Sequence, residues 1–199
     1  MRSNICKIER DTKDLDAILR ESEKVAVYNE LTHKQSLQLR LLCEEIDGML
    51  PNLIEDFDGY LWIEYENGIC KVNVSITIPD LNTEKKSELI GIAKNKKNSA
   101  AVGLVGKIRN AIENFFLNGE VLRAFDTSAG GVEVSSGYSD GIDYSYHWTL
   151  EQYRSTVKNE ARTEDWDELE KSVIASAADD IIVGIKGKQA DIVIVKKFA

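Results

Sequence analysis

The apolar positions of the chain follow a helical period in some stretches and a period of two in others. Residues 37–53 show the helical period over the longest stretch, with Glu44 and Glu45 side by side near the middle. The apolar stripe of this predicted helix consists of Leu39, Leu42, Cys43, Ile46, Met49 and Leu50. Thr32, followed three positions later by Gln35, predicts a capping box at its start. Glu45 lies at the edge of the stripe, where a carboxylate is costly unless it has a partner or a function.

The same period predicts several further helices. They cover residues 11–23, 99–116, 150–160 and 164–178, and residues 83–94 fit a helix or an ordered connection. Val25 to Tyr28 fits either a strand or an extended lead into the long helix. The helical segments are therefore spread along the whole chain rather than gathered at one end.

A period of two predicts the strands. Tyr60 to Glu66 and Ile69 to Ile78 alternate between apolar and polar residues, and Asn67-Gly68 between them is the strongest hairpin signal in the chain. Residues 142–148 also alternate, and residues 181–185 and 191–195 predict a second hairpin. We therefore expect an α/β two-layer sandwich, with a mixed, mostly antiparallel sheet and helices on one face.

The last helix and hairpin are compact enough to form an extension of their own. Since residues 159–164 are the most suitable boundary, we expect one domain at residues 1–160 and a C-terminal helix-hairpin appendage at residues 161–199. The apolar strands of this hairpin fit docking onto the chain's own sheet as well as pairing between two chains, which leaves a homodimer open.

Composition narrows the classes of function. The net charge of -9 argues against a general nucleic-acid binder, whose footprint would be basic. The three cysteines are odd in number and far apart, so neither a disulfide framework nor a zinc site is expected. No apolar leader or membrane-spanning run is visible, and we expect a cytoplasmic protein without membrane partners.

Three stretches together resemble the GHKL ATPase superfamily, and most of all the histidine-kinase-like domains of anti-sigma-factor serine kinases. They are LLCEE at residues 41–45, GYLWIEYENGICKVNVSITIPD at residues 59–80 and AAVGLVGKIRNAI at residues 100–112. The resemblance covers roughly residues 30 to 150 and lies in the order and spacing of these stretches. It implies a pocket that binds ATP or ADP.

The resemblance also implies roles for single residues. Glu45 matches the family's catalytic glutamate, and Asp80 matches the aspartate that reads adenine. Gly103, Gly106 and Lys107 match the glycine-containing start of a helix at which backbone N–H groups approach phosphates. The nucleotide site implied in this way comprises these five residues.

Each of these motifs departs from the family pattern. Met49 stands four residues after Glu45, where the family has an asparagine that holds magnesium, and a thioether is no ligand for a hard cation. Residues 81–83 after Asp80 contain no glycine, and alanines at residues 100–101 replace further glycines. Magnesium is therefore not expected, and phosphoryl transfer without it loses its main charge neutraliser.

Three functions remain open on the sequence. The first is a degenerate GHKL-type regulatory module with little or no catalysis that acts through a protein partner. The second is an active ATP-dependent serine kinase or ATPase with Glu45 as its base or metal-linked carboxylate and Asp80 as the reader of adenine. The third is a structural or oligomerisation domain whose pocket is filled by side chains such as Met49. Without the family resemblance, Glu44 is interpreted as a solvated residue and Asp80 as a turn residue that ends a strand. Gly103 and Gly106 are then interpreted as residues that allow close packing of the helix on the sheet.

Overall fold

The computed structural model describes residues 1–10, 15–54, 57–77, 103–118, 138–139, 142–143, 146–159, 163–186 and 188–198. The helices in this part of the chain are α1 (Leu15–Tyr28), α2 (His33–Leu53), α3 (Gly103–Asn118), α4 (Leu150–Asn159), α5 (Thr163–Lys171) and α6 (Val173–Ala177). The strands are β1 (Cys6–Glu9), β2 (Asp58–Glu66), β3 (Ile69–Thr77), β4 (Tyr138–Ser139), β5 (Ile142–Asp143), β6 (Tyr146–Thr149), β7 (Asp180–Lys186) and β8 (Gln189–Lys197).

Six of the strands form one sheet in the order β1-β2-β3-β8-β7-β6, and each neighbouring pair is antiparallel. Strands β4 and β5 form a separate antiparallel pair. This architecture confirms the expected α/β class. Among the described residues, no helix combines the length and the apolar character that crossing a membrane requires.

One face of the six-stranded sheet forms the core with the helices. The strand registers align a buried row across all six strands, made up of Cys6, Leu61, Val74, Ile192, Val183 and Trp148. Helices α1, α2 and α3 contact β2, β3 and β7 respectively. Since the sheet order places β3 and β8 between β2 and β7, the helix layer runs α1, α2, α3 across this face. The opposite face is less covered, with Trp62, Val193 and Ile182 half-buried in one row.

The C-terminal hairpin lies in the middle of the sheet. Strand β8 pairs with β3 over its whole length, from Ile69 opposite Lys197 to Thr77 opposite Gln189. Strand β7 pairs with β8 on one side and with β6 on the other. The hairpin expected in the C-terminal appendage thus supplies two inner strands of the chain's own sheet, which is one of the two arrangements that its apolar strands left open. The boundary near residue 160 stays a prediction.

Local signals gave the turn and the helix cap correctly. Asn67 and Gly68 have φ values of 49° and 79°, as a two-residue hairpin turn requires. Thr32 Oγ1 accepts the Gln35 amide N–H, and the Gln35 side chain accepts the Thr32 N–H at 2.8 Å. Both the hairpin and the capping box are thus confirmed.

Two helix predictions need correction. Val25 to Tyr28 is the last turn of α1 rather than a strand, because Val25 continues the buried stripe of Ile18 and Ser22 at helical spacing. The single helix expected at residues 164–178 is divided into α5 and α6. Ser172 interrupts it, and its hydroxyl accepts the Ala175 N–H and so caps α6. The segment at residues 83–94 lies outside the described residues.

The N-terminal segment is held to α1 through the buried carboxylate of Glu21. Its oxygens accept the backbone N–H of Asn4 at 3.0 Å, the Asn4 side-chain amide at 3.1 Å and the Lys24 ammonium at 2.6 Å. The hydrogen bond from Lys24 lowers the pKa of Glu21, the bonds from Asn4 act in the same direction, and burial opposes them. The ionised form is therefore stabilised by folding.

Glu21→Gln is expected to lower the free energy of unfolding by about 1 to 2 kcal/mol at pH 7, since hydrogen bonds to a charged group are lost. Because folding lowers the pKa from its ordinary value of 4.5, the wild-type stabilisation is complete above that pH and disappears as the pH falls through the folded-state pKa. Urea unfolding of both proteins at pH 7 and pH 3 should show the difference shrinking at the lower pH. Glu23→Gln is the matched control, because the Glu23 side chain is 58% exposed. A difference that persists unchanged at pH 3 would contradict this role of Glu21.

Candidate functional site

Glu44 belongs to the solvated side of α2. Its carboxylate accepts a hydrogen bond from Arg40 Nε at 3.0 Å, and Arg40 Nη1 donates to Glu23 of α1 at 3.0 Å. All three side chains are about two-fifths or more exposed. This is an ordinary surface network, which supports the reading of Glu44 as a residue without a site function.

Glu45 lies on a different side of α2. It follows Arg40 by five residues, which places it about 140° further around the helix axis. Since Arg40 faces α1 and α2 lies between α1 and α3, Glu45 is on the side of α2 where α3 packs. The side chain is half-buried. Within the described part of the chain, no hydrogen bond or ion pair to the Glu45 side chain is found.

The two residues that follow Glu45 by one turn have opposite environments. Gly48 is exposed, and a Cβ added to it would meet no atom within 4 Å. Met49 is 5% exposed and belongs to the hydrophobic core. The position at which the resemblance implies a magnesium-holding amide is thus an apolar side chain packed in the core. These residues do not fit a magnesium ion at this position.

The start of α3 shows why glycine stands at residue 103. Gly103 has a φ of 81°, in the left-handed region that residues with a Cβ rarely adopt, so the chain enters the helix through a conformation that favours glycine. Gly106 is buried although it lies about 160° around the axis from both Leu104 and Ile108, which face the core. Gly106 therefore does not serve the packing of α3 on the sheet.

Lys107 connects α3 to two other helices. Its ammonium lies 3.4 Å from the Asp165 carboxylate of α5 and 5.6 Å from the ring centre of Tyr153 of α4. Tyr153 is 2% exposed, and about a quarter of each of the Lys107 and Asp165 side chains is exposed. Lys107, which the family resemblance implies to be a phosphate ligand, thus contacts a carboxylate and an aromatic ring instead.

Four of the five predicted site residues lie on two helices that the structure describes, and the fifth does not. Glu45 is on α2, and Gly103, Gly106 and Lys107 are on α3, and these two helices contact each other. Asp80, the residue implied to read adenine, lies outside the described residues. The structure therefore puts four of the five predicted residues on neighbouring helices of one layer.

The other groups capable of chemistry are in structural positions. Burial raises the pKa of the Cys70 thiol to about 12 and that of Cys43 further, and Cys6 is buried as well. The thiols of Cys43 and Cys70 therefore stay protonated at neutral pH and are poor nucleophiles. Burial lowers the pKa of His147, with Asp180 acting in the opposite direction. In the described ranges, no three His, Cys, Asp or Glu residues are grouped as metal ligands.

Asp165 and Tyr153 are residues of this region that the sequence did not reveal. Asp165 contributes only to the acidic first turn of a predicted helix, and Tyr153 fits an apolar helix face. Their contact with Lys107 joins residues far apart in the chain, and no local motif announces such a contact.

Compared with known proteins, the chain matches no family model, no curated protein and no solved structure. The arguments on function therefore rest on its own residues and their arrangement.

Proposed function

We propose that this chain is a degenerate GHKL-type nucleotide-binding-like regulatory module, with little or no catalysis, that acts through a protein partner in the cytoplasm. The order of elements supports this proposal. A long helix carrying Glu45, a hairpin of two sheet strands and a helix opened by a left-handed glycine follow one another, as the sequence resemblance implies. All of them contribute to one helix layer on one antiparallel sheet.

The burial of Met49 carries the argument against catalysis. A thioether does not ligate a hard cation, and Met49 cannot be turned outward without opening a cavity in the core. Phosphoryl transfer depends on cations that neutralise the phosphate charge, so a position that excludes such a ligand favours binding without turnover. The protein would then act by binding a partner, and this binding would depend on whether a ligand is bound.

ATP or ADP is the ligand class that fits the remaining residues. The backbone N–H groups of the first turn of α3, entered through Gly103, suit phosphate oxygens, and Lys107 supplies a positive charge one turn further on. Asp80 would read the adenine ring. In this arrangement the chain's residues bind and orient the nucleotide, and no metal ion is required for binding.

An active serine kinase or ATPase is the second candidate. The observation in its favour is Glu45, a half-buried carboxylate on the α3 side of α2 without a hydrogen-bonding partner among the described residues. Such a group is available to accept a proton from a substrate hydroxyl or a water molecule. Phosphotransfer or ATP hydrolysis that is lost in Glu45→Ala would favour this candidate over the first.

Thermal unfolding with ATP tests the proposal. With ATP at ten times its dissociation constant, binding adds about 1.4 kcal/mol to the free energy of unfolding, which corresponds to an increase of roughly 3 to 6 °C in Tm for a domain of this size. We expect the same increase with ATP plus magnesium and with ATP plus EDTA, and none in Asp80→Asn.

The other outcomes separate the alternatives. An increase that requires magnesium supports the active enzyme. No increase in either condition overturns the proposal and supports a structural or oligomerisation domain with a filled pocket. An unchanged increase in Asp80→Asn would show that Asp80 does not read the adenine.

A further inference from the structure

We propose that the Lys107–Asp165 ion pair is a latch that competes with nucleotide phosphates for the Lys107 ammonium, so that nucleotide binding releases α5 from α3. This inference rests on the proposed function, because it concerns how the same site is regulated. Two anions compete for one cation: a carboxylate of the chain itself and a phosphate group of the ligand.

Lys107 lies one turn after the start of α3, and from this position its side chain can serve either the Asp165 carboxylate or a phosphate at the helix start. Side chains of an α-helix lean toward its N-terminus, so the flexible stem of Lys107 can carry the ammonium back toward the first turn of α3. In the structure it instead reaches across to Asp165, with 3.4 Å between Nζ and Oδ1. Placing the ammonium at a phosphate therefore requires it to leave the carboxylate.

The environment makes the competition energetically relevant. About three quarters of each side chain of the pair is buried, so the attraction is less screened than that of a fully exposed pair. The ammonium also lies 5.6 Å from the Tyr153 ring centre, which favours its present position through a cation–π interaction. A ligand must compensate for both interactions, and its apparent affinity is reduced accordingly.

The latch joins the nucleotide site to the C-terminal helices. Asp165 lies in the first turn of α5, and α5 contacts α3, α4 and α6. When Lys107 turns to a phosphate, α5 loses an ionic contact with α3 while its other contacts remain. Nucleotide binding therefore weakens the attachment of α5 to α3, although α5 itself does not contact the nucleotide.

The test compares Asp165→Asn with Asp167→Asn. Asp167 is exposed and lies on the same helix, so its substitution removes the same charge without opening the latch. Calorimetric titration with ATP in EDTA should give Asp165→Asn an affinity about three to ten times that of the wild type. Asp167→Asn should stay within about twofold of the wild type, because it changes only screened long-range charge. Lys107→Met should lose affinity and should abolish the gain from Asp165→Asn in the double variant.

Hydrogen exchange provides a second readout. ATP should accelerate exchange of the α5 amides in the wild type, and Asp165→Asn should show that faster exchange without ATP. Equal affinities of Asp165→Asn, Asp167→Asn and the wild type overturn the latch and leave the proposed function intact. ATP binding by none of the variants, Asp165→Asn included, overturns the proposed function and the latch together. ATP binding by Asp165→Asn where the wild type shows none supports both.

Discussion

Gly59→Ala is expected to lower the free energy of unfolding by about 3 kcal/mol, which is at the upper end of what overpacking costs. Gly59 of β2 lies opposite Ile76 of β3 on the buried face of the sheet. A Cβ there would stand 2.8 Å from Ile76 Cγ2 and 2.9 Å from Ile76 Cα, and closer still to the Ser75 carbonyl oxygen. Because two of these neighbours are backbone atoms of a central hairpin, neither can move aside without disturbing the pairing of β2 with β3.

Urea-induced unfolding followed by circular dichroism measures the effect of Gly59→Ala. Gly48→Ala is the matched control, since it is the same substitution in the exposed interior of α2 with no atom within 4 Å of the new Cβ. That variant should be more stable than the wild type by about 1 kcal/mol, which is the difference in helix propensity. A loss of stability in Gly48→Ala, or none in Gly59→Ala, would contradict the packing described for these two elements.

Ile181→Ala is expected to lower the free energy of unfolding by about 3 to 4 kcal/mol, and Ile182→Ala by about 1 kcal/mol. The two residues are neighbours in β7 but lie on opposite faces of the sheet. Ile181 has no exposed surface and pairs with Ile194, whereas Ile182 is half-buried on the less covered face. The first substitution therefore leaves a cavity under the helices, and the second removes atoms that partly contact solvent.

This pair of variants tests the central position of the C-terminal hairpin. If the hairpin were peripheral, both substitutions would have similar small effects on unfolding of the rest of the chain. Unfolding of each variant should be followed by tryptophan fluorescence and by far-UV circular dichroism. Both signals should show the same single transition, because β7 and β8 belong to the same sheet as β2 and β3. Two separate transitions would contradict this arrangement.

Much of the local structure could be predicted from the sequence because its causes are local. The Asn67-Gly68 turn depends on two residues that tolerate positive φ, and the start of α2 depends on side chains three positions apart. The length of α2 followed from its apolar stripe, and its buried residues are those of the predicted stripe together with Leu53.

The position of the C-terminal hairpin could not be predicted in the same way. Its strands have apolar residues on both faces, as in Ile181 and Ile182, and such strands fit the inside of a sheet as well as an extension that docks elsewhere. The choice is made by the pairing of β8 with β3, for which no turn or motif provides a signal.

The same distinction between local and non-local causes applies to the candidate site. Glu45 could be placed at the edge of the buried stripe from helical spacing alone, whereas Gly103 was put at the start of a helix only by the family resemblance, since the apolar period predicted a helix from residue 99. The engagement of Lys107 with Asp165 and Tyr153 depends on how α3, α4 and α5 pack, which spacing within one helix does not determine. The roles proposed for Glu45, Asp80 and the start of α3 stay predictions until the nucleotide experiments are done.

The pairing of β3 with β8 has a consequence for biosynthesis. Gln189 and Ser75, which are hydrogen-bonded across these two strands, are 114 residues apart in the chain. At ribosomal rates of about 5 to 20 residues per second, the edge of β3 that accepts β8 is left without its partner for roughly 6 to 23 seconds after it emerges. During that interval the nascent chain displays an apolar strand edge that other strands can join, so its exposure to wrong pairing lasts until the C-terminal hairpin has been made.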